Sequence, residues 1–191
     1  MEHLELLINR AFLFFFIVFF GCNSNEYTLM VHEESKDLDL FKINVTYLGK
    51  RYTGIVYNTN NLGDTISIGE YKNGLKNGLW KKFYSNGALK EKRNFKNGLK
   101  TGLYEGFYNN GAKNFVFNFK NGEYNGTNRL WAKNGQIIEE FNYIDGQEKG
   151  SQKVWYLNGM IKSNYIIKNN RRYGLLGTKN CTNVSEEVFD M

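Results

Sequence analysis

Short runs of aromatic and polar residues, separated by glycine-bearing turns, fill the middle of the chain. Around Asn86-Gly87 this pattern predicts one strand over Leu79–Tyr84 and a second over Leu89–Phe95. Asn-Gly between two such runs is the strongest local signal of a β-hairpin, because both residues tolerate the positive φ of a type I′ turn. The segment Lys96–Gly102 is then expected to turn the chain into the next hairpin.

The hairpin pattern repeats along the chain in one constant register. The Asn-Gly pair returns every 24 residues, as Asn86-Gly87, Asn110-Gly111, Asn134-Gly135 and Asn158-Gly159. A second series with the same spacing runs through Gly78, Gly102, Gly126, Gly150 and Gly174. A period of this length indicates a repeat array rather than a compact domain with one core. We therefore predict an all-β fold, an elongated single-layer ribbon of consecutive antiparallel β-hairpins.

Side-chain alternation assigns the repeated positions to faces of this sheet. The second strand of each unit places two series on one face, Arg93, Phe117, Phe141 and Tyr165 together with Phe95, Phe119, Tyr143 and Ile167. In the first strand, Phe83, Phe107, Trp131 and Trp155 are expected to stack as an aromatic column beside the charged residues Lys81, Glu105, Arg129 and Lys153. A face that mixes aromatic and charged columns favours a thin sheet washed by solvent.

The repeat unit resembles the MORN repeat in its variant form: Asn-Gly, three residues, Gly, an aromatic residue, a Phe-Tyr or Trp-Tyr pair, Asn-Gly, and a polar strand. Residues 72–167 carry four copies, a weaker copy precedes them with Gly54, Gly63 and Tyr71, and half a copy follows in Lys168–Gly174. The resemblance implies a ribbon of hairpins that acts as a scaffold, a protein-binding module or a lipid-associating module. Many bacterial proteins of this variant are similar to YwqK-type antitoxins, which implies an antitoxin-like role as an alternative.

The N-terminus resembles a bacterial lipoprotein signal. The unbroken apolar run Ala11–Phe20 is too short to span a bilayer but is typical of a signal-peptide core. Gly21-Cys22 follows it, so we expect cleavage after Gly21 and acylation of Cys22. The alternatives are an uncleaved anchor or a buried N-terminal helix. A lipid anchor predicts a protein of the bacterial cell envelope, at the outer membrane in preference to the inner one.

Four segments follow from these patterns. Residues 1–21 form the signal peptide, 22–39 a flexible tether, 40–174 the repeat domain, and 175–191 a C-terminal cap and tail. Asn23–Asp39 is polar and acidic with no periodic apolar pattern, which is typical of a tether. Leu40–Tyr47 alternates well and is expected to be the first strand, capping the repeats.

The chain carries a formal net charge of +6, and its lysines are spread over repeat positions as solvated sheet residues would be. The densest cationic group is the candidate site for an anionic ligand, and it comprises Lys81, Lys82, Lys90, Lys92 and Arg93, with Lys96 and Lys100 next to it. A net positive charge favours binding to anionic partners such as lipid head groups or cell-wall polymers. We expect no nucleic-acid partner for an exported protein.

Catalytic chemistry has little support in the sequence. The only histidines, His3 and His32, fall before the repeats, and Glu139 and Glu140 point to opposite faces of a strand. We therefore expect no enzyme activity, no metal site and no cofactor. If Cys22 is acylated, Cys181 is the one remaining cysteine and cannot form a disulfide within the chain; we expect it to be a half-buried residue of the cap.

The favoured function is that of a membrane-anchored, non-enzymatic scaffold that binds a protein partner in the cell envelope. Tyr and Trp are preferred anchors of protein interfaces. The candidate contacts are Trp80, Tyr84, Tyr104, Tyr108, Trp131, Trp155 and Tyr156, each of which could instead stack within the ribbon. The alternatives are an antitoxin or immunity protein and a module that binds lipid or glycan.

Overall fold

The structure is a computed structural model that describes residues 28–177. Within that range the chain is all-β and contains no helix, so none is long and apolar enough to cross a membrane. The predicted signal peptide, Cys22, Cys181 and most of the predicted tail lie outside the described residues.

The strands follow the chain at short intervals. They are β1 (Met30–His32), β2 (Leu38–Asp39), β3 (Thr46–Tyr47), β4 (Lys50–Arg51), β5 (Gly54–Thr59), β6 (Thr65–Lys72), β7 (Leu75–Phe83), β8 (Leu89–Lys96), β9 (Leu99–Phe107), β10 (Lys113–Lys120), β11 (Glu123–Tyr124), β12 (Gly126–Trp131), β13 (Ile137–Ile144), β14 (Gln147–Trp155), β15 (Ile161–Lys168) and β16 (Arg171–Leu175).

From β6 to β15, each strand pairs with its neighbours along the chain, which makes one antiparallel sheet of successive hairpins. The exceptions lie at β1, which joins the edge of this sheet parallel to β5, and at β11, which pairs only with β10. We call this sheet the ribbon. Its twelve consecutively paired strands in the described part of the chain extend about 50 Å at the usual strand spacing of about 4.8 Å. The predicted single-layer ribbon is confirmed.

The hairpins are joined by two kinds of turn, and the type I′ turn lies at Asn97-Gly98 and not at Asn86-Gly87, where it is predicted. Asn97 and Gly98 both have positive φ, at 50° and 82°, and join β8 to β9 as a two-residue turn of the type I′ class. The pair Asn86-Gly87 instead ends a three-residue loop in which only Gly87 has positive φ. Gly87 N–H donates to Tyr84 O (2.9 Å) and Tyr84 N–H donates to Ala88 O (2.8 Å), the pattern of a type I turn with a glycine bulge.

The second glycine series does not form turns, which corrects the prediction for Lys96–Gly102. Strand β9 already begins at Leu99, and Gly102 lies inside it with a φ of 66°. Opposite it, the pairing register of β8 shifts between Arg93 and Asn94. Glycine therefore accommodates a β-bulge here, one that bends the strand without ending it. The turn itself needs only Asn97-Gly98.

The segment before the repeats corrects two predictions. Strand β3 holds only Thr46–Tyr47 of the predicted strand Leu40–Tyr47, because residues 41–44 bend. Residues 30–32, predicted as tether, form β1, and Val31 and Leu38 are buried. We call residues 28–52 the N-terminal cap. It packs Val31, Leu38, Val45 and Tyr52 onto Val56 and Tyr71 of the first hairpin, and this cluster is the main apolar core.

Candidate functional site

Aromatic rings on one face of the ribbon form a ladder across successive strands. Tyr52, Tyr71, Trp80 and Phe95 make edge contacts one after another, with centroids 5.1–6.2 Å apart. Further along, Tyr104 contacts Phe115, Phe117 and Phe119, and Tyr124 links these to Tyr143. We call this the ladder face. It supplies packing that a single-layer sheet cannot obtain from a second layer.

Trp80, a predicted partner contact, is part of this packing. Its indole ring lies on Gly69 of the neighbouring strand, where an added Cβ would overlap the ring. The Lys76 ammonium lies 4.5 Å from the ring centroid, and the indole N–H donates to Glu70 O over 3.0 Å. Glycine at position 69 therefore makes room for tryptophan at position 80.

Tyr104, the equivalent of Trp80 one repeat later, is also engaged within the ribbon. Its hydroxyl donates to Glu91 Oε2 over 2.6 Å. Burial, followed by this hydrogen bond, raises the pKa of Tyr104 to about 12. The other carboxylate oxygen of Glu91 pairs with Arg93 (3.4 Å) and Lys82 (3.6 Å). One half-buried carboxylate thus holds a phenol and two cations on the ladder face.

In the later repeats, the position held by Trp80 and Tyr104 is occupied by an amide side chain, which hydrogen-bonds backbone groups opposite the bulge. Gln152 is fully buried; its Oε1 accepts from Asn142 N–H (3.0 Å), and its Nε2 donates to Asn142 O (2.9 Å). Asn128 accepts from Asn118 N–H in the same way, over 2.7 Å. The bulge frees these backbone groups from the ladder of strand pairing, and the amides satisfy them.

Tyr84 and Tyr108 fasten one loop to the next. The Tyr84 hydroxyl donates to Phe107 O over 2.8 Å, and the Tyr108 hydroxyl donates to Trp131 O over 2.7 Å. Each bond spans 23 residues and links equivalent loops of adjacent repeats. These two predicted contacts therefore have a role inside the repeat array.

Phe83, Phe107, Trp131 and Trp155 form a different group, which we call the outer row. Within residues 28–177 none of these rings contacts another aromatic ring, so the predicted stacking is wrong. The reason is spacing: equivalent residues stand two strands apart, about 10 Å, which is beyond ring contact. All four are half-buried, and alternation places them opposite the ladder face.

Trp131 and Trp155 are the predicted contacts that this row contains. Each ends a strand just before the loop, and their cross-strand neighbours are Ile137 and Ile161. Tyr156 follows Trp155 and is 37% exposed, with Lys162 Nζ 5.8 Å from its ring centroid. Apart from Tyr156, the predicted aromatic contacts therefore divide into two groups. Trp80, Tyr84, Tyr104 and Tyr108 are used by the ladder or the loops, and Trp131 and Trp155 belong to the outer row.

The sheet separates the predicted cationic group. Lys82 and Arg93 lie on the ladder face with Glu91, whereas Lys81 and Lys92 lie opposite, where Lys92 pairs with Glu105 (2.8 Å). Lys90 stands at the loop, 5.4 Å from the Tyr84 ring centroid. These five side chains therefore do not form one continuous patch.

A cleft of about 520 Å³ lies between the N-terminal cap and the first repeats. Leu40, Ile43 and Val45 line it from the cap, and Tyr71, Lys76 and Trp80 line it from the ribbon. Lys42, Lys82, Arg93 and Glu33 add charge to its walls. Desolvation, together with the charges of Arg93 and Lys82, lowers the pKa of Lys76. The cleft combines cations with apolar surface, as small-molecule sites do.

Sequence reasoning missed this cleft and the packing of Trp80. The cap does not repeat, so no periodicity indicated that it folds over Lys76. Gly69 stands outside both glycine series and has no positive φ, and that irregular position was the one available signal of close packing. Across residues 28–177 no group of His, Cys, Asp and Glu side chains is arranged to hold a metal ion.

Comparison with known proteins supports the repeat assignment. The model of the MORN repeat variant matches residues 76–97, which cover nearly all of β7, the following loop, β8 and the first residue of the next turn. The chain therefore contains a MORN-type repeat, and the 24-residue register extends the same hairpin along the ribbon. No curated protein matches the chain.

Proposed function

We propose that this protein is a non-enzymatic scaffold that binds a protein partner in the bacterial cell envelope. The observation that supports this most strongly is the outer row. Phe83, Phe107, Trp131 and Trp155 return once per repeat, and their rings take no part in the aromatic ladder. Half-exposed aromatic rings at regular intervals suit an extended partner, because large aromatic side chains dominate interface energies.

The terminal hairpin adds apolar surface at the same end of the molecule as Trp155. Ile166, Tyr173 and Leu175 alternate along β15 and β16 and are about half exposed, at 49%, 51% and 46%. Leu157 and Met160 of the preceding loop are more exposed still. Contiguous exposed apolar side chains are typical of protein interaction surfaces.

Substitution of the outer row tests this proposal. We expect Trp131→Ala with Trp155→Ala to abolish partner capture in envelope fractions of the native host. The matched control, Trp131→Phe with Trp155→Phe, keeps an aromatic ring at both places and should retain capture. Circular dichroism would establish that both variants fold. Undiminished capture by the folded alanine variant would refute the role of the outer row.

The anchor at Cys22 is the second part of the proposal, and it rests on the sequence pattern before Asn23. A mature chain that begins at an acylated Cys22 would carry added acyl mass and partition into detergent. Cys22→Ser should abolish both properties. An unmodified, full-length wild-type chain would contradict the lipoprotein assignment and would favour a cytosolic antitoxin of the YwqK type.

An envelope immunity role is compatible with the same anchor. It predicts that a deletion strain is inhibited when grown beside its unmodified siblings, and that the wild-type gene restores growth. Normal growth of the deletion strain, alone and in mixture, would leave the scaffold as the favoured function.

A further inference from the structure

The cleft under the N-terminal cap concentrates positive charge that the described residues neutralise only in part. Lys82 and Arg93 share the carboxylate of Glu91, at 3.6 and 3.4 Å. Lys76 makes no ion pair within residues 28–177, and Glu33 lines the cleft without pairing to any of these cations. Within residues 28–177, two of these three cations thus share one carboxylate, and the third has none within ion-pair distance.

Lys76 is held in place by aromatic rings instead of by an anion. Its ammonium lies 4.5 Å from the Trp80 centroid and 5.6 Å from the Phe95 centroid, and Arg93 lies 5.5 Å from the same Phe95 ring. Two cations therefore converge over one buried phenylalanine. Since Arg93 and Lys82 repel the Lys76 ammonium and burial removes water from it, an anion entering here would be attracted by all three.

The same residue one repeat later shows that the cap makes the difference. Lys100 is equivalent to Lys76, and its ammonium lies 4.8 Å from the Phe119 centroid. The residues that line the cleft include Lys76 and not Lys100, because the cap covers only the first repeats. Val45 N–H donates to Gly74 O over 2.8 Å and fixes the cap beside the cleft.

We propose that this cleft binds a small oxyanion that bears phosphate or carboxylate groups, through Lys76, Lys82 and Arg93. A volume of about 520 Å³ is within the range of small-ligand sites. Leu40, Ile43 and Leu75 supply the apolar walls, and the cations supply the charge. This site is independent of the outer row, which lies on the other side of the sheet.

Fluorescence of Trp80 can report binding directly. The chain has three tryptophans, so Trp131→Phe with Trp155→Phe leaves Trp80 as the single reporter beside Lys76. The full-length chain in detergent would be titrated with inorganic pyrophosphate and with citrate, and the detergent would be removed before titration with phosphatidylglycerol vesicles. We expect a saturable change with at least one of these probes that weakens as salt is added.

Two matched lysine variants, made in the chain that carries Trp131→Phe and Trp155→Phe, test the proposal. Lys76→Gln should weaken binding about tenfold, whereas Lys100→Gln should leave it within about twofold. Lys82→Gln, whose side chain is 51% exposed, provides a second variant if Lys76→Gln does not fold.

The outcomes separate the possible ligands. Saturation by free pyrophosphate or citrate supports a soluble anion, and a response to vesicles alone supports the same site with a lipid headgroup as its source. No saturable response to any probe, or an equal loss in the Lys76 and Lys100 variants, would overturn the proposal. Partner capture by the outer row is measured separately and does not affect this result.

Discussion

At the scale of single residues, one position of the repeat supplies the side chain that hydrogen-bonds the neighbouring strand on the ladder face. Trp80, Tyr104, Asn128 and Gln152 occupy it in turn. Trp80 donates to the backbone opposite, and Gln152 both donates to and accepts from Asn142. The position therefore changes from aromatic to amide along the chain, while in these two repeats it continues to bond the backbone of the strand opposite the bulge.

Replacing Gln152 tests this role. We expect Gln152→Leu to lower the free energy of unfolding by about 1–3 kcal/mol, because it leaves the N–H and C=O of Asn142 without their side-chain partner in a buried site. Gln147→Leu, at an exposed position five residues earlier in β14, is the control and should change stability little. Urea denaturation measures both. Equal stability of the two variants would show that Gln152 does not satisfy the bulge.

Alkaline pH tests the buried tyrosines. Burial raises the pKa of Tyr71 and of Tyr104 to about 12, from an ordinary value of 10.0. The folded state therefore favours the neutral phenol; its contribution to stability is complete below pH 10 and is lost as pH rises through 12. We expect Tyr104→Phe to lose less stability than the wild type over this window, measured by urea denaturation at each pH. Parallel losses would contradict the assignment.

At the scale of elements, each repeat contains two turns that require different backbone conformations. Asn97 must adopt a φ of 50°, whereas Ser85 in the other loop has no positive φ. A β-branched residue is strained in the left-handed region. We expect Asn97→Val to cost about 1–2 kcal/mol of stability, and Ser85→Val much less. Thermal unfolding would compare them, and equal costs would mean that the two turns do not differ as described.

Most of the repeat architecture could be predicted at this scale, because glycine spacing and alternation act locally. The sequence predicts a turn at Gly102, where the structure has a bulge, because glycine with positive φ gives the same sequence signal in a turn and in a bulge. The cap could not be predicted from Leu40–Tyr47, since its form depends on contacts with Tyr71 and Val56 far along the chain. The cleft, which needs both cap and repeat, had no local signal.

At the scale of the whole molecule, the ribbon has unequal ends. The N-terminal cap buries an apolar cluster against the first hairpin. Every residue of β16 is exposed, and within residues 28–177 it pairs only with β15. In a repeat array, stability is a sum of contacts between neighbours, so an end with fewer contacts opens more readily.

Hydrogen exchange tests this inequality. We expect the amides of β15 and β16 to exchange faster than those of β6 to β9, because β16 pairs on one side only within residues 28–177 and the middle strands carry the aromatic ladder. Mass spectrometry of peptides from the full-length chain would resolve the two regions. Uniform protection would show that the terminal hairpin is as stable as the middle of the ribbon.

The division of aromatic side chains between the ladder face and the outer row underlies the proposed function. It is tested most directly by placing a photo-reactive phenylalanine analogue at Trp155 or at Phe117 and irradiating living cells of the native host. Phe117 lies within the ladder, stacked on Phe115 with centroids 4.7 Å apart. We expect a discrete cross-linked partner from position 155 and none from position 117. Cross-linking from 117 alone, or from neither position, would contradict the account.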